Sequence, residues 1–123
     1  MRKPIIAANW KMNKTISEAV DFTRGLKDLT RDIFNVEIVV CPSFISLAYV
    51  GETLKNTSLK LGAQNMYWEK NGAFTGEISP VMLRDAGCHY AIIGHSERRE
   101  YFKETDEDVN KKVKSALSFN DIR

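Results

Sequence analysis

The chain has 123 residues, 43% of them hydrophobic and 28% charged, and this size and composition predict a single folded domain over residues 1–123. The formal net charge is only +2 and basic residues are scattered among acidic ones, which argues against nucleic acid or a membrane surface as a partner, because both need a concentrated positive field. Cys41 and Cys88 are too few for a disulfide framework or a zinc site, and no secretory leader or membrane span is recognisable, so we predict reduced thiols, no metal and a cytoplasmic location.

The first part of the chain predicts two strand–helix units. Residues 4–9 form a short apolar run that ends in polar residues, as expected of a buried strand. Thr15 and Glu18 have the spacing of a helix capping box, and they are followed by apolar residues at helical spacing: Ala19, Phe22, Leu26 and Leu29. Residues 36–41 are mostly β-branched and apolar, as in a strand covered on both faces, and residues 44–55 suit a second helix.

The third unit contains the longest predicted loop. Residues 59–65 predict a strand, and residues 66–78 predict the loop that follows it. Ser79 and Pro80 mark a helix start, because serine caps helix N-termini and proline suits the first helical position. Gly87 is a natural C-terminal stop for that helix.

The fourth unit begins with a predicted strand at residues 89–94. Ser96 is predicted to cap a helical turn, and Thr105 to open the last helix, whose predicted inner face is formed by Val109, Val113, Ala116 and Leu117. Four consecutive βα units predict an α/β fold with a parallel sheet. Periodicity alone leaves open whether that sheet is open or part of a closed barrel.

Polar residues follow the predicted strands at the points where sites form in α/β proteins, the carboxyl ends of the strands. These residues are Asn9, Lys11, Pro42, Ser43, Gln64, Asn65, His95, Ser96 and Glu97. An asparagine, a lysine and a histidine on one rim form a donor-rich pocket suited to an anionic or carbonyl substrate. The alternatives are a solvated loop lysine at position 11 and a simple turn former at position 9.

His95 is the most informative of these residues, because it follows Gly94 and directly precedes a predicted helix start. The positive end of that helix disfavours an imidazolium, so we expect a neutral ring that donates a hydrogen bond. The H-x-E sequence at residues 95–97 also occurs in zinc deaminases, but no cysteine follows Cys88 to complete such a site. His89 has no comparable setting and is predicted to be a packed or surface residue.

Three segments together resemble the triosephosphate isomerases: ANWKMN at residues 8–13, GAQN through GAFTGEIS within residues 62–79, and IGHSERR at residues 93–99. The resemblance implies half of a (β/α)8 TIM barrel without a cofactor. It also implies the interconversion of dihydroxyacetone phosphate and glyceraldehyde 3-phosphate through an enediolate, a step of glycolysis and gluconeogenesis. An unrelated open α/β binding domain is the alternative that treats these motifs as accidental.

The same resemblance implies roles for the rim residues. Lys11 would supply positive charge to the substrate's phosphate and developing oxyanion, and Asn9 would donate a hydrogen bond to a substrate oxygen. His95 would shuttle a proton between the two substrate oxygens. Ser96 would hold the resting carboxylate base, and Glu97 would orient the lysine.

Five residues are implied to lie at a subunit contact, because the family forms homodimers. Thr75, on the long loop, would reach into the neighbouring subunit's site. Glu77 and Arg98 are expected to form an ion pair that braces this loop, and Gln64 and Asn65 are expected at the same contact. The predicted partners are therefore a triose phosphate and a second copy of the chain.

The resemblance further implies that family members continue for about as long again, with the glutamate base, the lid and the glycine-rich phosphate loop in that second half. The tail at residues 120–123 is polar, does not suggest a fifth strand and departs from the family pattern. We therefore expect negligible isomerase activity from these residues alone. The alternative is an engineered or self-assembling half-barrel scaffold, in which the open edges of the first and fourth strands pair with another copy.

Overall fold

A computed structural model describes residues 2–120 and 122–123, and the predicted alternation of strands and helices is present there. The strands are β1 (Ile5–Asn9), β2 (Glu37–Cys41), β3 (Lys60–Ala63) and β4 (Cys88–Ala91). The helices are α1 (Ile16–Leu29), α2 (Phe44–Thr53), α3 (Pro80–Asp85), α4 (Ser96–Phe102) and α5 (Asp106–Ser118). The strands form one parallel sheet in the order β1-β2-β3-β4, which confirms four successive βα units and half of a TIM barrel.

The sheet is regular between β1 and β2 and irregular between β3 and β4. Leu61 lies opposite Cys88, but the next residue, Gly62, lies opposite Tyr90, so His89 is an extra residue in β4. Such a bulge re-aims the side chains that follow it. Gly62 has no side chain at this close approach, where an added Cβ would lie 2.6 Å from the Cys41 Sγ atom. The bulge therefore sets which β4 side chains face the helices.

Strand β4 is shorter than the prediction of residues 89–94. The amide of Ile92 still donates to the carbonyl of Ala63 at 2.8 Å, one residue beyond the strand. Gly94 then takes a φ of +70°, a conformation that suits glycine and turns the chain away from the sheet. An added Cβ at Gly94 would lie 2.8 Å from the Val109 side chain. This turn delivers the next residue, His95, to the rim.

The main core lies between the sheet and the helices. Its fully buried members include Ala19, Val40, Val50, Ala63 and Leu83. Burial of the Cys41 and Cys88 thiols raises their pKa to about 11 and about 12, and both cysteines are free, as predicted. By contrast, β1 is poorly covered, because 47% of Ile5 and 58% of Ile6 remain exposed.

Apolar spacing predicted the buried faces of two helices only in part: Ala19 and Ala116 are buried as expected, at 0% and 4% exposure. Leu29 of α1 is 82% exposed, whereas Thr23 is fully buried and its hydroxyl donates to the Ala19 carbonyl at 2.7 Å. Leu117 of α5 is 70% exposed, whereas Lys112 is only 5% exposed. A polar side chain with satisfied hydrogen bonds can occupy a buried position, so hydrophobic spacing alone missed Thr23 and Lys112.

The local start and stop signals of α1, α3 and α5 agree with the prediction. Thr15 and Glu18 form a reciprocal capping box, and Thr105 forms a second one with Asp108. The Ser79 hydroxyl accepts from the Met82 amide at 3.1 Å with Pro80 in the first turn, and Gly87 follows the helix with a φ of +92°. Each signal depends on neighbours in sequence, and therefore does not require the tertiary fold.

The tail does continue the sheet, contrary to the expectation for residues 120–123. The amide of Arg123 donates to the His89 carbonyl at 2.8 Å, and its carbonyl accepts from the Ala91 amide at 3.0 Å. This is the bonding of a parallel neighbour on the free edge of β4. Ile122 is 2% exposed and belongs to the core, and Asp121 lies outside the described residues. One apolar residue at the right position outweighs the polar composition of the tail.

No helix in the part of the chain that the structure describes is both long enough and apolar enough to cross a membrane.

Candidate active site

The turn after β1 holds Lys11 in an uncommon backbone conformation, with a φ of +56°. Two hydrogen bonds fix this turn: the Lys11 amide donates to Asn9 Oδ1 at 3.0 Å, and Gln64 Nε2 donates to the Lys11 carbonyl at 2.9 Å. Strained non-glycine residues cost about 1–3 kcal/mol and cluster at functional sites. The turn-forming role considered for Asn9 is therefore real, and its effect is to present the lysine at the rim.

Gln64 connects three strand ends. Besides its bond to Lys11, its Nε2 donates to the Cys41 carbonyl at 2.9 Å, so one amide at the end of β3 holds both the β1 turn and the end of β2. The sequence placed this residue at the rim and implied a subunit contact for it, but it did not indicate that Gln64 braces the neighbouring strand ends. A glutamine directly after a strand is the signal from which a rim-bracing role could have been inferred.

His95 is the N-cap of α4, and this corrects the prediction that Ser96 caps the helix. The His95 Nδ1 atom accepts from the Glu97 amide at 3.1 Å, while Ser96 is the first residue of the helix. A neutral imidazole whose Nδ1 accepts a bond carries its proton on Nε2. The local geometry therefore leaves Nε2 as the donor, on the side of the ring away from the helix.

The turn after β1 and helix α4 meet through an ion pair. Lys11 Nζ lies 2.5 Å from Glu97 Oε1, although the two residues are 86 positions apart in the chain. The hydrogen bond from Lys11 is the main cause that lowers the pKa of Glu97 below its ordinary value of 4.5. Glu97 is therefore a carboxylate that holds the lysine, which makes it a poor proton acceptor.

These residues line one cavity of about 280 Å³ at the rim. Its described lining is Asn9, Lys11, Met12, Ser43, Phe44, Gln64, Asn65, His95, Glu97, Arg98 and Phe102. Eight of the residues singled out from the sequence are thus brought together, and Pro42, Ser96, Thr75 and Glu77 lie outside this lining. An ammonium group beside the Nε2 donor of a neutral imidazole can bind an oxyanion and stabilise charge that develops on a carbonyl oxygen.

Arg98 does not pair with Glu77 in this chain. Its Nε atom lies 2.7 Å from Glu104 Oε2, and the other oxygen of that carboxylate lies 3.1 Å from Lys112 Nζ. Lys112 also donates to Asn65 Oδ1 at 2.9 Å. Arg98 thus belongs to a buried cluster within the chain, and the Glu77–Arg98 pair expected at a subunit contact stays a prediction. Neither Glu104 nor Lys112 was singled out from the sequence, because residues this polar are normally read as exposed.

Thr75 and Glu77 lie on the surface of the long loop. The loop is stiffened by aromatic contacts: the ring of Tyr67 stacks on Trp68 at 4.1 Å and contacts Phe74 at 4.7 Å. Its exposed tip therefore projects from a rigid base. Within residues 2–120 and 122–123, no three His, Cys, Asp or Glu side chains are grouped as metal ligands.

Comparison with known proteins agrees with this geometry. The sequence pattern of the triosephosphate isomerase family matches residues 4–121, which extends into the tail that was expected to lie outside it. Triosephosphate isomerases of Endomicrobium trichonymphae and Caldanaerobacter subterraneus subsp. tengcongensis are 59% and 61% identical to this chain, each over 118 residues, which are 96% of this chain and 47% of each relative. That of Clostridium botulinum strain Loch Maree is 58% identical over 120 residues, 98% of this chain and 48% of the relative. The chain spans about half the length of the curated relatives it matches, and it belongs to the triosephosphate isomerase family.

Proposed function

We propose that the rim cavity is the N-terminal part of an active site that isomerises triose phosphates. The observation that carries this proposal is the Lys11–Glu97 contact beside His95, which joins the first and last rim segments in one cavity. An ammonium group suits both a phosphate and an enediolate oxygen, and a neutral imidazole suits proton exchange between adjacent oxygens.

In the proposed reaction, a base removes a proton from the carbon next to the substrate carbonyl. The electron pair moves onto the carbonyl oxygen, where Lys11 and the Nε2–H of His95 stabilise the developing negative charge. His95 then gives a proton to the former carbonyl oxygen and takes the proton of the neighbouring hydroxyl group. The base returns its proton to the former carbonyl carbon, and the neighbouring oxygen becomes the new carbonyl. Asn9 and Lys11 would position the substrate, and Ser96 would hold the resting base.

These residues by themselves are proposed to have negligible turnover, because the carboxylate nearest to His95 is already occupied. Glu97 Oε2 lies 3.7 Å from His95 Nδ1, and the other oxygen of that carboxylate is bound to Lys11. Loss of a general base typically lowers a rate by about 10²–10⁴-fold.

The test is an isomerase assay on the purified 123-residue chain, with His95→Ala as the matched variant. We expect no difference between them above background. Turnover that His95→Ala abolishes would contradict the proposed inactivity while supporting the site assignment.

A homodimer is proposed for the complete site, with Thr75, Glu77, Gln64, Asn65 and Arg98 near the contact. This is supported by large exposed apolar side chains on α2, the long loop, α3 and α4: Ile45 at 68%, Phe74 at 40%, Met82 at 54% and Phe102 at 66% exposure. Exposed apolar surface of this kind marks interaction sites. A Thr75→Arg variant that lowers the mass measured by light scattering would support this arrangement, and an unchanged mass would oppose it. A cytoplasmic location is proposed with this function.

The second candidate is a half-barrel scaffold without catalysis that associates with its own copy. The exposure of Ile5 and Ile6 on the free edge of β1 favours it. Light scattering and isomerase activity on one sample separate the two candidates. A discrete oligomer without turnover is the scaffold result, and turnover in that oligomer would overturn it.

A further inference from the structure

Helix α4 is unusual because it carries His95 at its N-cap and Glu97 in its first turn, yet has no buried face. All seven of its side chains are exposed or half-buried. Most short helices in proteins are held by an apolar stripe packed against the core. Contacts other than apolar packing must therefore set the orientation of this helix.

Four side chains, Asn65, Arg98, Glu104 and Lys112, form what we call the Glu104 cluster. Glu104 is 8% exposed, Lys112 is 5% exposed and Asn65 is 7% exposed. One Glu104 oxygen accepts from Arg98 Nε at 2.7 Å, and the other accepts from Lys112 Nζ at 3.1 Å. The cluster thus joins α4, α5 and the end of β3 through a single carboxylate.

The backbone of Glu104 adds a second connection to α4. Its amide donates to the Arg98 carbonyl at 3.2 Å, just after Lys103 has taken a left-handed conformation with a φ of +59°. This bonding ends the helix in the manner of a C-terminal cap. Both the side chain and the main chain of Glu104 therefore hold Arg98, in the first turn of a helix of seven residues.

Two other ionic contacts of α4 lie at the surface, and one of them is the Lys11–Glu97 pair, whose side chains are 50% and 41% exposed. Arg99 Nη1 pairs with Asp106 Oδ1, but 94% of the Asp106 side chain is exposed, and pairs of this kind contribute little. Breaking a buried pair is far more disruptive, because it leaves a charge without compensation in a dry site. The Glu104 cluster is therefore the anchor that the rest of the helix depends on.

We propose that Glu104 is a positioning residue of the candidate site. It has no contact with the rim cavity, and it acts through Arg98 by fixing the helix whose N-terminus presents His95 Nδ1 to the Glu97 amide. This proposal rests on the proposed function, because the orientation of the imidazole affects a reaction only if its Nε2 atom contacts a substrate.

The experiment uses nuclear magnetic resonance on the 123-residue chain and does not depend on turnover. In Glu104→Gln, we expect the His95 Nδ1 nitrogen to lose the chemical shift of a hydrogen-bond acceptor. We also expect the Glu97 amide to exchange about fivefold faster, which is the factor that corresponds to one ordinary hydrogen bond of about 1 kcal/mol. The amides of Val40 and Leu61 in the central strands should keep their protection.

Asp106→Asn is the matched control, because it removes one carboxylate from the exposed pair and should leave both His95 and Glu97 signals unchanged. An unchanged His95 spectrum in a destabilised Glu104→Gln variant would reduce the cluster to a purely structural role and overturn the proposal. Since no activity is measured, this outcome is distinct from a failure of the isomerase proposal.

Arg98→Lys is the second variant, for the case in which Glu104→Gln does not fold. It keeps the positive charge but loses the planar guanidinium that reaches the carboxylate. We expect the same His95 and Glu97 changes in smaller degree, and a His95 spectrum identical to that of the parent chain would overturn the proposal.

Discussion

Helices α2 and α4 both begin at the rim of the candidate site, and they are held in opposite ways. Helix α2 buries Leu47 and Val50 against the sheet, and the close approach of Gly51 leaves no room for a side chain. Helix α4 buries none of its side chains and is anchored by Arg98 and its buried carboxylate partner. Apolar packing thus holds the α2 side of the rim, which we call the apolar side. Ionic contacts hold the α4 side, which carries His95 and which we call the ionic side.

This difference separates stability from orientation. Apolar burial is strong but non-directional, so α2 can tolerate small shifts without losing its contacts. A carboxylate bonded to two cations requires a defined geometry, so it orients α4. The same arrangement is sensitive to the removal of any one of its charges. The residues proposed to handle a charged substrate lie on the ionic side.

The largest expected effect is on the ionic side. Lys112→Met should lower the free energy of unfolding by about 3–5 kcal/mol, because it breaks a buried pair and leaves Asn65 without its donor. Urea denaturation followed by circular dichroism measures this change. Lys114→Met on the exposed part of α5 is the control and should be nearly neutral. A loss below about 1 kcal/mol would mean that the cluster does not anchor this side of the rim.

A cavity made in the apolar packing of α2 should lower the free energy of unfolding. Leu47→Ala should cost about 3 kcal/mol in the free energy of unfolding, because Leu47 is only 5% exposed and its neighbours can relax only in part. Leu117→Ala, at a residue that is 70% exposed, is the matched control. Denaturation curves of both variants measure the two losses. Equal losses in the free energy of unfolding would contradict the prediction that α2 is held by apolar burial.

The capping boxes should give an intermediate effect. Thr105→Ala should cost about 1 kcal/mol, because it removes the acceptor for the Asp108 amide at the start of α5. Hydrogen bonds from Thr105 lower the pKa of Asp108 below its ordinary 3.8, so this cap contributes above that pH and is lost as the pH falls through the lowered value. Thermal melts between pH 7 and about pH 2 test both statements. Both proteins should lose stability as the pH falls, because the backbone amide of residue 105 donates to Asp108 in each. The difference between them should shrink only in part, because the Asp108 amide lacks its acceptor in Thr105→Ala at every pH.

The smallest effect concerns the exposed contact at the rim itself. Lys11→Met should raise the pKa of Glu97 towards its ordinary 4.5, because the hydrogen bond from the ammonium group is the main cause of the lowering. In the parent chain the Lys11–Glu97 contact is present above pH 4.5 and is lost as the pH falls through the lowered pKa of Glu97. Carboxyl carbon titration by nuclear magnetic resonance measures this directly. Lys111→Met, whose lysine pairs with Glu107, should leave Glu97 unaffected.

Parts of the candidate site could be predicted from the residues alone. The motifs placed Asn9, Lys11, His95 and Glu97 on one rim, because the carboxyl ends of parallel strands meet at the same edge of a sheet. The partner of Arg98 within the chain, Glu104, was not predicted, and the Glu77–Arg98 pair expected at a subunit contact stays a prediction. Which carboxylate an arginine reaches depends on the distance between a turn and a helix, and that distance has no signature in sequence spacing.

The sequence by itself determined the local structure of this protein: the strands as apolar runs, the capping boxes at Thr15 and Thr105, and the stop at Gly87. These features involve residues a few positions apart, so their free energies are set before the chain is packed. Only the tertiary structure decided that Lys112 is buried, that His89 forms a bulge and that Arg123 pairs with β4. Those outcomes depend on which surfaces remain to be covered once the sheet and helices have met, and on whether a distant group satisfies each buried polar atom.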